Sequence, residues 1–184
     1  MAAPGGQVID CIITNNTVNR WGGGLEFENT VAGALVRNCL IAFNSSVQQG
    51  GGISCFSANA LIENCTIVSN TAGSGDAGYP PLGGGGIRCH SGSARMTNTI
   101  VVYNSAPVGT NLCGPLISGY SCSPDLTNGV NFNLTADPVF VAPNQRDFRL
   151  RRISPCINSG LNQPWMAAGL DLDGNPRKAE GVVD

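Results

Sequence analysis

The chain has 184 residues, of which 12% are charged, and its net charge is −2. Ten Lys and Arg residues that form no basic run argue against a nucleic-acid-binding protein, which needs clustered positive charge against the phosphates. Twenty-five glycines and 11 prolines are typical of a turn-dense all-β protein. No apolar stretch approaches the ~20 residues of a membrane span. Residues 1–6 do not have the charged start or apolar core of a signal peptide.

A nine-residue phrase recurs four times in the first part of the chain. Its copies begin at Val8, Val36, Ile62 and Met96. Their third residues, which are 28, 26 and 34 positions apart, are Asp10, Asn38, Asn64 and Asn98. The last three copies each follow a Gly-Gly-Gly-apolar phrase, which begins at Gly22, Gly50 and Gly84. Periods of this length are typical of solenoids and other arrays of one repeated unit.

Each unit predicts three short strands joined by tight corners. The residues after the glycines alternate apolar and polar side chains, as a half-buried strand does, at 25–27, 53–55 and 87–89. Within the repeated phrase the alternation of inward and outward side chains shifts by one residue at the third position, which predicts a corner there. Asn tolerates the left-handed backbone that a one-residue corner needs there. The pattern predicts an all-β fold, a right-handed parallel β-helix in which successive coils stack ~4.8 Å apart.

Such stacking would align equivalent side chains into ladders. Two ladders of side-chain amides are predicted, and each can donate and accept hydrogen bonds along the stack. The ladder at the predicted corner contains Asp10, Asn38, Asn64 and Asn98. The second ladder contains Asn16, Asn44, Asn70 and Asn104.

The eight cysteines differ in their predicted surroundings. Five occupy inward positions of the repeat, where Cys acts as a small hydrophobic residue: Cys11, Cys39, Cys55, Cys65 and Cys89. Cys113 and Cys122 lie nine residues apart outside the regular units, and their spacing is compatible with a disulfide or with two thiols. Cys156 has no evident partner in the sequence. A single His and the lack of a Cys-x-x-Cys motif argue against a structural zinc site.

From Tyr120 onward the repeat gives way to phrases that do not resemble one another. A solenoid must bury its last coil, and this region brings large apolar side chains at irregular spacing. We therefore divide one structural domain into parallel β-helix coils at 1–119 and an irregular C-terminal cap at 120–184, packed on the last coil. The main phrases are Asp137-Pro138-Val139-Phe140, Phe148-Arg149-Leu150, Ser154-Pro155-Cys156-Ile157 and Asp171-Leu172-Asp173-Gly174-Asn175-Pro176-Arg177.

Behind Gly-Gly-Gly-Ile coils and in this order, these phrases resemble the C-terminal region of bacterial right-handed parallel β-helix repeat proteins with a choice-of-anchor Q domain. The resemblance covers nearly the whole chain and implies a secreted or cell-surface parent protein. Members of that family usually continue after the equivalent of Asp184 with a Gly-Ala-Tyr-Glu phrase and a sorting segment. The chain is therefore expected to be a fragment of a longer surface protein.

One loop of the C-terminal region has the residue types of a cation site. Asp171, Asp173 and Asn175 place side-chain oxygens at alternate positions, which suits a hard cation such as calcium. The bidentate Glu of a complete EF-hand loop does not follow. We therefore favour an Asx-rich turn for these residues, with a calcium site as the alternative.

Outward positions beside the glycine corner carry the one cluster of ionisable residues that the repeat brings together. By analogy with polysaccharide lyases and glycoside hydrolases built on parallel β-helices, these residues are candidates for catalysis. A glycosidase needs two carboxylates across the scissile bond. A solvated charged face is the alternative. The candidates are Glu26, Glu28, Arg88 and His90.

Carbohydrate binding without catalysis requires only aromatic and polar groups on a rigid face. We therefore interpret the protein as a structural or adhesive extracellular module. Binding of a polysaccharide or cell-envelope glycan is left open, and a polysaccharide-active enzyme is the alternative. The residues that would supply the binding surface are Phe56, Tyr79, Asp76, His90 and Trp21.

Overall fold

The computed structural model describes residues 6–29, 33–73, 83–179 and 181–183. Strands account for 43% of the structure and 3-10 helices for 6%, so the fold is all-β. In chain order the strands are β1 Gln7–Ile9, β2 Ile12–Thr14, β3 Thr17–Val18, β4 Leu25–Glu28, β5 Ala34–Arg37, β6 Leu40–Ala42, β7 Ser45–Ser46, β8 Ile53–Phe56, β9 Ala60–Glu63, β10 Thr66–Val68, β11 Thr71–Ala72, β12 Ile87–Cys89, β13 Ala94–Thr97, β14 Ile100–Val102, β15 Leu112–Cys113, β16 Leu116–Gly119, β17 Phe140–Ala142, β18 Asp147–Leu150, β19 Lys178–Ala179 and β20 Val182–Val183. Short 3-10 helices span Val130–Phe132, Pro143–Gln145 and Pro164–Ala167.

Strands of one repeat pair in parallel with the equivalent strands of the next. The strand orders of the resulting sheets are β1-β5-β9-β13-β16, β14-β10-β6-β2, β11-β7-β3 and β15-β12-β8-β4. The residues that begin the repeated phrase are direct partners in register: Val8, Val36, Ile62 and Met96. The C-terminal region adds two antiparallel pairs, β17-β18 and β19-β20. Equivalent strands of successive repeats therefore pair in parallel, which is compatible with the predicted parallel β-helix.

The predicted left-handed corner is present in all four copies of the phrase. The residues concerned, with φ between 49° and 55°, are Asp10, Asn38, Asn64 and Asn98. A second left-handed corner, which the sequence did not predict, stands directly before each residue of the second amide ladder, at Asn15, Phe43, Ser69 and Tyr103. Aromatic residues and Ser rarely adopt positive φ. Their position directly before a ladder Asn, and not their residue type, therefore determines the backbone conformation here.

The triple-glycine phrase forms a corner in which the backbones of neighbouring repeats touch. Gly50 supplies a left-handed turn, with φ of 62°. A Cβ built on Gly51 would lie 2.5 Å from the carbonyl oxygens of Gly85 and Thr71. The Gly51 N–H donates to the carbonyl of Gly84 at 3.1 Å. Glycine is thus required for backbone conformation at the first position and for space at the second.

Aliphatic and thiol side chains fill the interior of the stack. Ile41, Ile62 and Ile67 are completely buried, and burying one such side chain stabilises a fold by ~1.5–3 kcal/mol. The cysteines predicted to face inward lie in this core or pack against it. The Cys65 thiol donates to the carbonyl of Glu63 at 3.2 Å, and burial raises the pKa of that thiol. These cysteines act as small hydrophobic residues, as predicted.

The second amide ladder runs through the stack as a continuous chain of hydrogen bonds. Each Nδ2 donates to the Oδ1 of the next repeat, at 2.9–3.0 Å, along Asn16, Asn44, Asn70 and Asn104. The same Oδ1 atoms accept the backbone N–H of the preceding member. The ladder then continues to two residues that the sequence did not predict as members, Asn111 and Asp125.

Parallel pairing continues past residue 119. Tyr120 has φ of 51° and occupies the corner position that Asn98 holds one repeat earlier. Cys122 then pairs with Ile100 on one side and with Leu134 on the other. The stack therefore includes a fifth turn and part of a sixth, although these residues carry no recognisable copy of the phrase.

Residues 160–177, here called the strap, run along the side of the stack that carries the corner ladder. The hydrogen bonds that hold the strap join Leu161 to Asn98 at 2.7 Å, Gln163 to Glu63 at 2.8 Å and Leu170 to Asn38 at 2.9 Å. These contacts step back from the fourth repeat to the second. The sequence predicted that this region packs on the last coil, whereas the strap lies across the sides of several repeats.

The segment before the strap is held by aromatic contacts. Phe148 packs on Phe43, with ring centroids 5.9 Å apart, and on Phe140 at 5.4 Å. The Arg146 guanidinium lies 4.3 Å from the centroid of the Phe43 ring. A small second core thus forms outside the stack, against the outer face of the sheet that contains β6 and β10.

Candidate functional site

The outer face of the β15-β12-β8-β4 sheet carries most of the residues that the sequence singled out. Glu26 pairs with Ser54, Ser54 with Arg88, and Arg88 with Cys113, so that these residues form one row across four strands. The row places Glu26 and Arg88 as predicted and adds Cys113, which the sequence did not assign to this face. Glu28 and Phe56 are partners in the next row.

Three aromatic side chains from successive repeats form a continuous line on this face. Trp21 is stacked on Phe56, with centroids 5.5 Å apart and planes 14° apart, and Phe56 contacts His90 at 4.9 Å. We call Trp21, Phe56 and His90 the aromatic file. The Trp21 Nε1–H donates to Oε1 of Gln48 at 2.7 Å, which fixes the indole. The sequence named all three residues, and the structure brings them into contact.

The two predicted carboxylates lie at one end of the aromatic file. Glu26 and Glu28 are both exposed and lie on the same side of β4. Burial and the Glu28 charge raise the pKa of Glu26, while Arg20 opposes the shift. The Arg20 guanidinium itself lies 4.8 Å from the centroid of the Trp21 ring. The carboxylates therefore lie on the strand of the repeat that supplies Trp21, with Glu28 in register beside Phe56.

Arg88 is directed toward the opposite end of its row. Its guanidinium donates to Sγ of Cys113 at 2.6 Å. The described part of the chain holds no ion pair between Arg88 and either Glu26 or Glu28. Ser54, between Glu26 and Arg88, is completely buried although it is on the outward side. The four catalytic candidates thus share one face, but Arg88 is engaged with a thiol and not with a carboxylate.

Two further predicted residues lie outside the described residues. These are Asp76 and Tyr79, which the sequence assigned to the binding surface.

The loop from Asp171 to Asn175, where calcium was the alternative prediction, has the hydrogen bonds of an Asx-rich turn. The Asp171 carboxylate accepts the backbone N–H groups of Asp173 at 2.9 Å and of Asn175 at 2.7 Å, and the Asn175 amide at 3.2 Å. Both carboxylate oxygens of Asp171 are therefore used within the loop. Across residues 6–29, 33–73, 83–179 and 181–183, no group of three His, Cys, Asp or Glu side chains is placed to hold a metal ion.

A groove of about 730 Å³, which the sequence did not predict, lies between the C-terminal region and the outer face of the β14-β10-β6-β2 sheet. Its floor includes Leu40, Thr66 and Ile100, which are neighbours in register. On its wall Arg149 donates to Asp147 at 2.8 Å, and this contact lowers the pKa of Asp147 to about 2. No sequence signal points to the groove, because it depends on which side of the stack the C-terminal region covers.

No protein-family model, no curated protein and no solved structure matches this chain. The resemblance to β-helix repeat proteins with a choice-of-anchor Q domain therefore stands on the sequence phrases themselves. Among the described residues there is also no helix long and apolar enough to cross a membrane.

Proposed function

We propose that the protein is a right-handed parallel β-helix of a secreted or cell-surface protein and that its aromatic file binds a carbohydrate chain without cleaving it. The carrying observation is the contact of Trp21, Phe56 and His90 across successive repeats. The right-handed winding is supported by the parallel pairing, because parallel crossover connections are right-handed in nearly all proteins. The module would act as a structural or adhesive scaffold.

The geometry of the aromatic file suits a linear sugar polymer. Each repeat contributes one ring, and repeats stack ~4.8 Å apart. The rings therefore follow the stacking axis, and a chain bound to them would cross the strands. Because Trp21 and Phe56 stack on one another, the file would offer ring edges and the uncovered parts of the ring faces to the apolar faces of sugar rings. Because Trp21 is fixed by Gln48 and Phe56 is held between two rings, little side-chain entropy would be lost on binding.

The polar residues beside the file would contribute orientation. Glu26 and Glu28 offer acceptors to sugar hydroxyl groups at one end. His90 is exposed at the other end and carries ring nitrogens that can hydrogen-bond. This combination of a few stacking rings and a few polar groups is that of a glycan-binding surface and needs no cofactor.

Affinity gel electrophoresis against neutral and acidic polysaccharides tests the proposal. At least one polysaccharide should retard the protein, and Phe56→Ala should weaken that interaction roughly tenfold because the middle ring of the file is lost. Phe132→Ala is the matched control, since Phe132 is 66% exposed and stacks on Tyr120 at another part of the surface. Equal weakening by both variants, or retardation by none of the polysaccharides, would remove the aromatic file as a binding surface and leave the purely structural scaffold.

A polysaccharide-active enzyme is the alternative function, and one observation favours it. The raised pKa of Glu26 favours its protonated form, which a general acid needs. Glu26 and Glu28 are two residues apart on β4, or ~6.6 Å along the strand, within the range of paired glycosidase carboxylates. Assays for reducing ends and unsaturated sugars distinguish the two functions. If the parent protein releases sugar products and this release is lost in Glu26→Gln and in His90→Ala, the proposed binding function would be replaced by a catalytic function.

A further inference from the structure

Arg88 is a half-buried positive charge that no carboxylate neutralises among the residues that the structure describes. The two ion pairs found in that part of the chain join Arg37 to Glu63 and Arg149 to Asp147. Charges removed from water are normally paired in proteins, because an unpaired buried charge is costly. Arg88 therefore has the environment of a cation whose anion comes from elsewhere.

The polar groups around Arg88 leave most of its hydrogen-bond donors unused. One of its terminal N–H groups donates to Sγ of Cys113, while its Nε–H is buried and has no partner in the described ranges. Arginine carries five N–H donors, arranged for parallel hydrogen bonds to two oxygens of one anion. Ser54, the partner of Arg88 in register, is completely buried, and its hydroxyl group also has no hydrogen-bond partner there.

The contact with Cys113 does not take the place of an anion. A thiol sulfur is a weak hydrogen-bond acceptor, whereas a carboxylate or sulfate forms short, charge-assisted bonds with a guanidinium. Cys113 and Cys122 are not joined by a disulfide, the pairing that the sequence left open, and the Cys122 thiol donates to the Ala136 carbonyl at 3.2 Å. An anionic ligand would therefore bind the Arg88 guanidinium more strongly than Cys113 does.

Arg88 lies beside the last ring of the aromatic file. His90 follows it by two residues, ~6.6 Å along the chain, and contributes the ring of the third repeat. Glu26 and Glu28 lie on the equivalent strand two repeats earlier, ~10 Å away along the stacking axis. Arg20 lies over Trp21 at that end and offsets only one of the two carboxylates. A ligand along the file would thus meet net negative charge at the first repeat and positive charge at the third.

We propose that Arg88 binds an anionic group, a carboxylate or a sulfate ester, on an acidic sugar of the glycan that lies on the aromatic file. The inference rests on the proposed function and names the class of glycan, a chain in which acidic sugars are interspersed with neutral ones. The acidic sugar lies at the third repeat, where the planar guanidinium can donate to two oxygens. A neutral sugar lies at the first repeat, because an anion there would face Glu26 and Glu28.

Nuclear magnetic resonance of the full chain tests the site, with the Arg88 Nε–H and the Trp21 indole N–H as separate reporters. The probe is a hexasaccharide of alternating glucuronate and N-acetylglucosamine, and its control is the same hexasaccharide with the carboxyl groups reduced to alcohols. The acidic probe should shift both signals, and the reduced one should shift the Trp21 signal alone. A galactan hexasaccharide with and without sulfate esters repeats the comparison and distinguishes a sulfate ligand from a carboxylate.

The two reporters separate failure of this site from failure of the proposed function. An Arg88 signal that responds to neither anionic probe, or equally to the charged and neutral member of each pair, would overturn the anion site. With a shift at Trp21, that result would leave the aromatic file as a glycan-binding surface. A shift at Arg88 alone would keep the anion site and exclude the file. The absence of both shifts with every probe would exclude both.

Variants of single charges complete the test. Arg88→Gln should lower the affinity for the acidic hexasaccharide roughly tenfold, because the charge-assisted bonds to the anion are lost, and should leave the affinity for the reduced one unchanged. Arg95→Gln is the matched control, since Arg95 is exposed on β13 of another sheet, and it should leave both affinities unchanged. An equal loss with the reduced hexasaccharide in Arg88→Gln would assign the effect to packing and contradict the proposal.

The predicted neutral sugar at the first repeat has its own test. Glu26→Gln should strengthen the binding of a uniformly acidic chain, a galacturonate hexasaccharide, several-fold, because one repulsive charge is removed. The alternating hexasaccharide should gain less from the same change. Equal gains with both chains would contradict the placement of a neutral sugar beside Glu26.

Discussion

Arg177 donates from its guanidinium to Oδ1 of Asn38, and so occupies the acceptor that the corner ladder would otherwise offer to Asn64. The neighbouring steps of that ladder are direct, from Asn38 to Asp10 at 2.5 Å and from Asn98 to Asn64 at 3.4 Å. At the interrupted step the Nδ2 of Asn64 is buried and has no hydrogen-bond partner among the described residues. The strap thus interrupts the ladder: the hydrogen bond from Asn64 to Asn38 is replaced by the hydrogen bond from Arg177 to Asn38.

Arg177→Ala should release the end of the strap while leaving the stack folded. The charged hydrogen bonds to Asn38 and to the Asn64 carbonyl are lost, and such bonds contribute ~1.5–3 kcal/mol each. Asn64 then gains access to Oδ1 of Asn38, which offsets part of the cost inside the stack. Hydrogen exchange at the amide of residue 177, which donates to the Gly169 carbonyl at the released end, should accelerate roughly tenfold or more. Arg152→Ala, at an exposed arginine of the same region, is the control and should leave that exchange rate unchanged.

Asn70→Ala should strongly destabilise the protein. The Asn70 side chain is fully buried and bonds to Asn44, to Asn104 and to the carbonyl of Ile41. Truncation leaves several buried groups without partners, at ~1–3 kcal/mol each. We expect a loss of about 3–5 kcal/mol in urea unfolding. Asn16→Ala removes the exposed end of the same ladder and should cost under about 1 kcal/mol; comparable losses in both variants would contradict the ladder's role.

Gly51→Ala should prevent the repeats from stacking at their native distance. The added methyl group would meet backbone atoms of Gly85 and Thr71 at 2.5 Å, and backbone cannot rotate away as a side chain can. A loss of more than about 3 kcal/mol, or failure to fold, is expected from this overpacking. Gly6→Ala provides the comparison, since a methyl group added at Gly6 would have nothing within 4 Å. Thermal melts of the two variants should differ accordingly.

The stability of the outer face should depend on pH through Glu26. Its pKa in the folded state is raised above the ordinary 4.5, so the folded state holds the proton more tightly than the unfolded state. The resulting stabilisation is complete below pH 4.5 and is lost as the pH rises through the folded-state pKa. Glu26→Gln should therefore melt about 1–2 °C higher than the parent at pH 7, with the difference disappearing in acid. A difference that does not change with pH would exclude the carboxylate charge as its cause.

The parts of the fold that repeat were predictable from the sequence. Asn at the third position of the phrase indicated a left-handed corner, and the triple-glycine phrase indicated another tight corner, because few residue types satisfy those conditions. The close backbone contact at Gly51 became visible only in the structure. The second left-handed corner was missed because Phe43 and Tyr103 are not turn residues and adopt positive φ only through their register. The fifth turn was missed for a related reason, since Tyr120 replaces the diagnostic Asn.

The arrangement of the candidate site was predictable only in part. Register alone placed Glu26 and Arg88 in one row, since equivalent residues of stacked repeats must be neighbours. It could not reveal that Arg88 turns to Cys113, because Cys113 lies on a strand outside the recognised phrases. The groove depends on where a non-repeating segment packs, and a sequence period carries no information about that.

The bonds between members of the second amide ladder have a direction, since each Nδ2 donates to the Oδ1 of the later member. The last acceptor of the ladder is Asp125, whose carboxylate receives the backbone N–H groups of Asn111 and Leu112 at 2.9 Å and has no N–H of its own to pass on. An additional repeat copied between two Asn members would both receive and hand on a hydrogen bond. A repeat placed after Asp125 would receive no hydrogen bond from that side chain, because a carboxylate has no N–H to donate. Gene duplication can therefore lengthen this array from within, whereas the Asp125 side chain, which only accepts hydrogen bonds here, prevents its extension at that side.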